Sequence, residues 1–231
     1  ASEDSVPWAR LIEKYLQDND PESAESVFQR AMDLQLDSVA VVRGGANIST
    51  VARRRDLELE RWPELAKRAP EDVQVLRRNA TIFSGEGRME EALAYAEQGL
   101  AIDPSDEGLL RTKGNLNLRL GQFETALAAW KDYGDLFGLS ASVMLSCARC
   151  LRGLGRTDEA DHLITATVKE HPDDIDLAMG HARAAQFRGD LSEAEERWRR
   201  AIEIAPENDL AWTGLIQTLT RLGAHEAITL W

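Results

Sequence analysis

Apolar residues recur along this chain three and four positions apart, in short stretches broken by glycine or polar residues. In the first stretch Trp8, Leu11, Ile12 and Tyr15 share one helix face, a polar break follows, and Ala24, Phe28 and Ala31 make a second face. The two-helix pattern then returns at a fixed interval. Pro70, Pro104, Pro172 and Pro206, and Gly87, Gly121, Gly155 and Gly189, all fall in one 34-residue frame, and a period of this size marks stacked repeats. Frames 5–38, 39–72, 73–106, 107–140, 141–174 and 175–208 are complete, 209–231 is incomplete, and no insertion is needed before residue 223. Each frame predicts a helix A, a tight turn and a helix B. One such pair cannot bury its own apolar face, so the pairs are expected to stack over 1–231 as a single all-α solenoid with a continuous core.

The residues within the frame resemble the tetratricopeptide repeat family, with a large apolar residue at position 4, leucine at 7, small at 8, aromatic at 11, glycine at 15, alanine at 20, aromatic at 24, alanine at 27 and proline at 32. The frame 175–208 supplies Ala182, Gly189, Ala194, Trp198, Ala201 and Pro206, and 73–106 supplies Leu76, Ala80, Phe83, Gly87, Ala92 and Pro104. Small residues let the two helices approach, and the bulky ones fill the space between them. The resemblance implies a right-handed superhelix with helices A lining the concave side. The frame 39–72 is degenerate. It has Gly44 and Gly45 inside helix A, Arg53 at the turn glycine, Glu58 at a small-residue slot and Pro63 inside helix B. Helical glycines cost about 1 kcal/mol each and an interior proline about 3 kcal/mol, so this unit is expected to be weakest or kinked.

Composition narrows the function classes. The chain is acidic, with 40 Asp and Glu against 27 Lys and Arg and a net charge of -13, which argues against nucleic acid or an anionic membrane as partner of the whole molecule. No apolar run is long enough for a membrane span. Two cysteines cannot build a disulfide framework, and the expected location is cytoplasmic.

Catalytic and cofactor motifs are not found. Gly85, Glu86 and Gly87 sit at an interhelical turn with no strand before them, unlike a phosphate loop. Cys147 and Cys150 form a CxxC in mid-helix, where a redox pair would want a helix N-terminus and a zinc site two further ligands; buried structural thiols are expected. His162, His171, His181 and His225 are scattered, with His181 in a core slot. We therefore expect no enzyme activity, cofactor or metal.

Sorting charge by frame position changes the picture. The first 15 positions of the seven frames hold 14 basic and 6 acidic residues, and the remainder 13 basic and 34 acidic. At 100° per residue, positions 2, 5, 6, 9, 12 and 13 lie opposite the packing stripe of helix A. Those positions hold Arg10, Arg43, Arg77, Arg78, Arg111, Arg119, Arg149, Arg152, Arg183 and Arg221, and only Glu13 and Asp176 are acidic. Amide and hydroxyl groups stand among them, including Asn47, Thr81, Asn115 and Ser146. Phe187 is the only aromatic at these positions, which argues against stacked single-stranded nucleic acid. Planar guanidinium forks suit carboxylate, sulfate or phosphate.

The expected partner-binding residues are Arg43, Asn47, Arg77, Arg78, Thr81, Arg111, Asn115, Arg119, Arg149, Arg152 and Arg183. Arg43 with Asn47 and Arg111 with Asn115 resemble the start of the carboxylate clamp of chaperone-binding tetratricopeptide domains. The later clamp slots hold Arg78, Gly108 and Thr112 in one register and Ser146, Asp176 and Gly180 in the other, so the pattern is incomplete. Two functions are expected. One is a non-catalytic scaffold binding an acidic or extended protein segment in the arginine-lined groove. The other is the recruiting region of a larger bacterial enzyme, of glycosyltransferase or sulfotransferase type, with its catalytic domain outside this chain. The apolar ending Ile228, Leu230 and Trp231 further implies continuation beyond Trp231 or self-association through an open end.

Overall fold

A computed structural model describes residues 3–223, and among them it contains one short 3-10 helix, thirteen α-helices and no strand. The helices are α1 (Val6–Gln17), α2 (Pro21–Asp33), α3 (Val39–Val51), α4 (Arg55–Arg68), α5 (Val73–Gly85), α6 (Met89–Ile102), α7 (Glu107–Arg119), α8 (Phe123–Phe137), α9 (Ala141–Gly153), α10 (Thr157–Glu170), α11 (Ile175–Arg188), α12 (Leu191–Ile204) and α13 (Asp209–Leu222). The A helices from α3 onward begin at 39, 73, 107, 141, 175 and 209, and the B helices at 21, 55, 89, 123, 157 and 191. The expectation about Ile228, Leu230 and Trp231, and the residue His225, lie outside the described residues.

Two local devices enforce the period. The residue before each of these A helices is Ser38, Asp72, Asp106, Ser140, Asp174 or Asn208, a cap-forming type every time. Asp72 accepts from the amides of Gln74 and Val75, Asp106 from Leu109, Asp174 from Leu177 and Asn208 from Leu210 and Ala211, each cap contributing about 1 kcal/mol. After each A helix the chain turns through one left-handed residue: Asn19 at φ 56, Arg53 at φ 53, then Gly87, Gly121, Gly155, Gly189 and Gly223 at φ 74 to 84. Glycine adopts that conformation without strain, asparagine tolerates it, and arginine does so at a cost.

The chain divides into two compact units, Ala1–Leu116 and Asn117–Trp231. In the first, Ile12, Ala24, Phe28, Ala31, Val41 and Ile48 form one buried cluster. Val42, Ala46, Trp62, Leu65, Val75, Leu76, Phe83 and Ala92 belong to the next. In the second, Ala126, Trp130, Val143, Cys147, Ala148, Ala160 and Ile164 share a cluster, and Ala182, Ala194, Trp198, Ala201, Ala211 and Leu215 another. Ala24, Ala92, Ala126, Ala160 and Ala194, all at position 20, are 0% exposed, so any larger side chain there would push the paired helices apart.

Gly44, Gly45 and Glu58, three of the irregularities of the frame 39–72, have packing or polar partners. An ideal Cβ on Gly45 would stand 2.5 Å from the Phe28 ring, and one on Gly44 2.9 Å from Ile12 Cγ2, so both glycines seat side chains of the preceding pair. Glu58, 7% exposed, accepts from Thr50 Oγ1 at 3.0 Å, Arg55 Nη1 at 2.9 Å and Arg78 Nη2 at 2.5 Å. Burial alone would raise its pKa, but those donors hold it below the usual carboxylate value. Pro63 lies inside the continuous helix α4.

Candidate functional site

The arginines that helical periodicity places on one face of the A helices divide into two groups. In the first unit, Arg43, Arg77, Arg78 and Arg111 each face a carboxylate. Arg43 Nη2 donates to Asp72 Oδ2 at 2.7 Å, and Arg77 Nη1 lies 3.5 Å from Asp106 Oδ2 while its Nη2 donates to Gln74. Both arginines occupy position 5, and both carboxylates cap the next A helix, 29 residues on. Arg78 bonds Glu58 and, at 3.2 Å, Thr50 Oγ1, with its guanidinium centre 5.6 Å from the centroid of the Trp62 ring. Arg111 is looser, 4.0 Å from Glu107 with 58% of its side chain exposed. Thr81 donates its hydroxyl to the Arg77 carbonyl at 3.0 Å. Asn47 is half-buried, and Asn115 is exposed.

These pairs follow from position. A side chain five residues into an A helix reaches the cap of the following one, and where that cap is aspartate the arginine is paired. Arg111 is also at position 5, but its cap is Ser140, which carries no charge. Helical periodicity along a single helix missed Asp72, Asp106 and Glu58; the signal available in the sequence was the recurrent aspartate at position 34, read together with an arginine 29 residues earlier.

In the second unit the remaining arginines stand deeper in the A helices, Arg149 and Arg183 at position 9, Arg152 at 12 and Arg119 and Arg221 at 13. Arg149, Arg152 and Arg183 line one cavity of about 950 Å³, together with Ser142, Ser146, Asp176, Leu118, Leu145 and Phe187. Every residue lining it except Phe123 and Thr157 occupies position 2, 5, 6, 9, 12 or 13. Among the described residues none of these three arginines has a carboxylate at ion-pair distance. Arg149 and Arg183 are exposed; Arg152 is half-buried, and its Nη1 is buried with no hydrogen-bond partner. Burial draws the Arg152 pKa down, partly opposed by the charge of Asp161, yet guanidinium stays protonated in proteins. Arg119, also in this unit, is exposed.

Phe187, which the sequence marks only as a lone aromatic, is 76% exposed. The Arg152 guanidinium lies 5.8 Å from its ring centroid. Phe187 and Arg183 also line a second cavity of about 400 Å³ with Gln186, Leu210, Gln217 and Arg221. Two helical glycines admit apolar side chains to the lining of the larger cavity: a Cβ on Gly153 would collide with the Phe123 ring and one on Gly180 with Leu145 Cδ2.

Candidate chemistry elsewhere is muted. Cys147 and Cys150 are free and buried, and burial pushes the Cys150 thiol up to about 11, the opposite of an activated thiolate. Among the described residues no cluster of three or more His, Cys, Asp or Glu could hold a metal ion. No described helix is long and apolar enough to cross a membrane.

Tetratricopeptide repeat family models match residues 179–227 and 80–106. Among solved structures, the C-terminal part of a TPR repeat-containing protein from Cytophaga hutchinsonii is similar with a TM-score of 0.69 at 15% identity, covering 96% of this chain and 89% of that one. MamA from Desulfovibrio magneticus has a TM-score of 0.65 at 16% identity, over 75% of this chain and 98% of its own. YrrB, described as a TPR protein with an unusual peptide-binding site, has a TM-score of 0.61 at 18% identity, over 80% of this chain and 96% of its own. At these identities the likeness establishes the fold class, an all-α helical-repeat solenoid. Two stretches of this chain thus match tetratricopeptide repeat models, and its helical-repeat fold is shared with these solved structures.

Proposed function

We propose that this protein is a non-catalytic scaffold that holds an extended acidic polypeptide segment against its A-helix face, chiefly in the second unit. One observation carries the reading: Arg149, Arg152 and Arg183 line a cavity of about 950 Å³ where, among the described residues, Asp176 is the only carboxylate. Three cations gathered with so little internal neutralisation invite an external anion. Serine hydroxyls at 142 and 146 lie beside them, although Ser146 already donates to the Ser142 carbonyl at 2.9 Å. The description of YrrB as peptide-binding supports a peptide as the ligand type. Charge-assisted hydrogen bonds contribute about 1.5–3 kcal/mol each, so three of them supply about 4.5–9 kcal/mol, which the cost of ordering a flexible segment reduces to a weak, reversible affinity.

In the first unit the same face is largely self-neutralised, so Arg43, Arg77 and Arg78 would contribute to binding only by releasing Asp72, Asp106 and Glu58. The test is fluorescence anisotropy with a labelled polyglutamate peptide. Arg149→Glu combined with Arg183→Glu should abolish binding, and affinity should fall between about 50 and 500 mM salt because the cavity is open to screening. Arg199→Glu with Arg200→Glu, on helix α12, is the control. If the α12 variant loses binding while the double variant in the cavity keeps it, the functional face lies on the B helices and the reading is wrong.

A further inference from the structure

We infer that the segment held in the second unit carries a bulky apolar side chain, preferably aromatic, beside its carboxylates, and that this side chain seats against Phe187. The inference rests on the acidic-segment reading above and specifies the ligand of the same site.

A purely acidic ligand would leave half of this surface unused. Phe187 is 76% exposed, more than any other large hydrophobic residue described, and Leu210 follows at 60%. A single exposed apolar side chain needs no explanation. Phe187 differs because it borders both cavities of the unit, with Leu145 lining the larger one and Leu210 the smaller. Phe187 therefore links the apolar lining of the two openings, with Arg149, Arg152, Arg183 and Arg221 among the other lining residues. Arg183 is common to both cavities, and Arg152 holds its charge 5.8 Å from the Phe187 ring centroid. An aromatic side chain entering here can stack on or meet edge-to-face the Phe187 ring, while the flanking carboxylates reach Arg149 and Arg183. Nucleic acid fits less well, because one platform cannot stack successive bases.

The experiment compares two labelled peptides of equal length and equal aspartate content, one with a central phenylalanine and one with alanine there. Wild-type protein should bind the phenylalanine peptide about tenfold more tightly, an effect of roughly 1.4 kcal/mol. Phe187→Ala, at an exposed position whose truncation leaves the core intact, should erase that gain and leave the alanine peptide unaffected. Arg183→Glu should weaken both peptides. Equal affinities for the two peptides would overturn this inference while leaving the acidic-segment reading in place. A gain that survives Phe187→Ala would likewise overturn it, placing the aromatic elsewhere. Binding of neither peptide would overturn both.

Discussion

Arg78 Nη2 donates to Glu58 Oε1 at 2.5 Å, tying the A helix of one repeat to the B helix of the repeat before it. Glu58 occupies the slot that alanine fills in the neighbouring frames, at Ala24, Ala92 and Ala126. The pair thus supports the degenerate repeat and removes Arg78 from the cations available to a ligand. Glu58→Ala would restore the usual residue but leave Arg55 and Arg78 without their shared carboxylate. We expect a loss of about 1–3 kcal/mol, discounted because both arginines reach solvent. A lowered urea midpoint would show it; an unchanged midpoint would mean the small-residue slot regains in packing what the ion pairs lose.

Gly45 tests whether the helical glycines are packing sockets. Helix propensity alone favours Gly45→Ala by about 1 kcal/mol. The new Cβ, however, would lie 2.5 Å from Phe28 Cε2 and Cζ, in a buried cluster where overpacking costs about 1–3 kcal/mol. Thermal denaturation should show destabilisation. A rise in melting temperature would mean that the Phe28 ring moves aside freely.

Arg53 and Pro63 bear costs with no visible compensation in the backbone. Arg53 is left-handed at φ 53 where later repeats have glycine, and Pro63 cannot donate to the Leu59 carbonyl within α4. Arg53→Gly should stabilise by about 0.5–1 kcal/mol and Pro63→Ala by about 1–3 kcal/mol. Each gain should appear as a raised melting temperature, and a drop for Pro63→Ala would show that packing of its ring outweighs the lost hydrogen bond.

His181 gives the chain an acid-side sensitivity. Burial, then the neighbouring Arg197, draws its pKa from 6.5 to about 4, while Glu193 and Asp161 pull the other way. In that window the unfolded chain binds a proton that the folded chain refuses, so stability falls as pH drops from 6.5 towards 4 and is unaffected above it. Glu25, Glu58 and Asp72 have lowered pKa values, so their contributions are lost only as pH falls below the ordinary carboxylate range. His181→Gln should therefore flatten the upper part of the acid limb and leave the lower part unchanged. Denaturation midpoints at several pH values would check this, and parallel wild-type and variant curves would refute it.

The period was legible because it is local. Caps at position 34, a left-handed residue at position 15 and alanine at position 20 each act within a few residues of chain, so identity and spacing alone predict helix starts at 39, 73, 107, 141, 175 and 209. The candidate site was legible in outline for the same reason: a helical wheel sorts one helix into faces, and the cavity in the second unit is lined almost wholly by the positions it selects. Its blind spot was the neighbour. Position 6 of α5 lies on the selected face, yet Arg78 reaches back to Glu58 on α4, a partner no periodicity along a single helix can supply.

Sequence alone therefore determined what depends on residues within one turn or one repeat: the helices, the turns, the repeat period and the basic character of the A helices. Tertiary structure decided which of those charges remain available. Arg43 and Arg77 meet the aspartate caps of the next repeat, whereas Arg149, Arg152 and Arg183 find no carboxylate at ion-pair distance among the described residues and line one cavity with Leu145 and Phe187. Whether a guanidinium is neutralised depends on a carboxylate lying within about 4 Å in space, and residues 29 apart in the chain come that close only when the helices are packed.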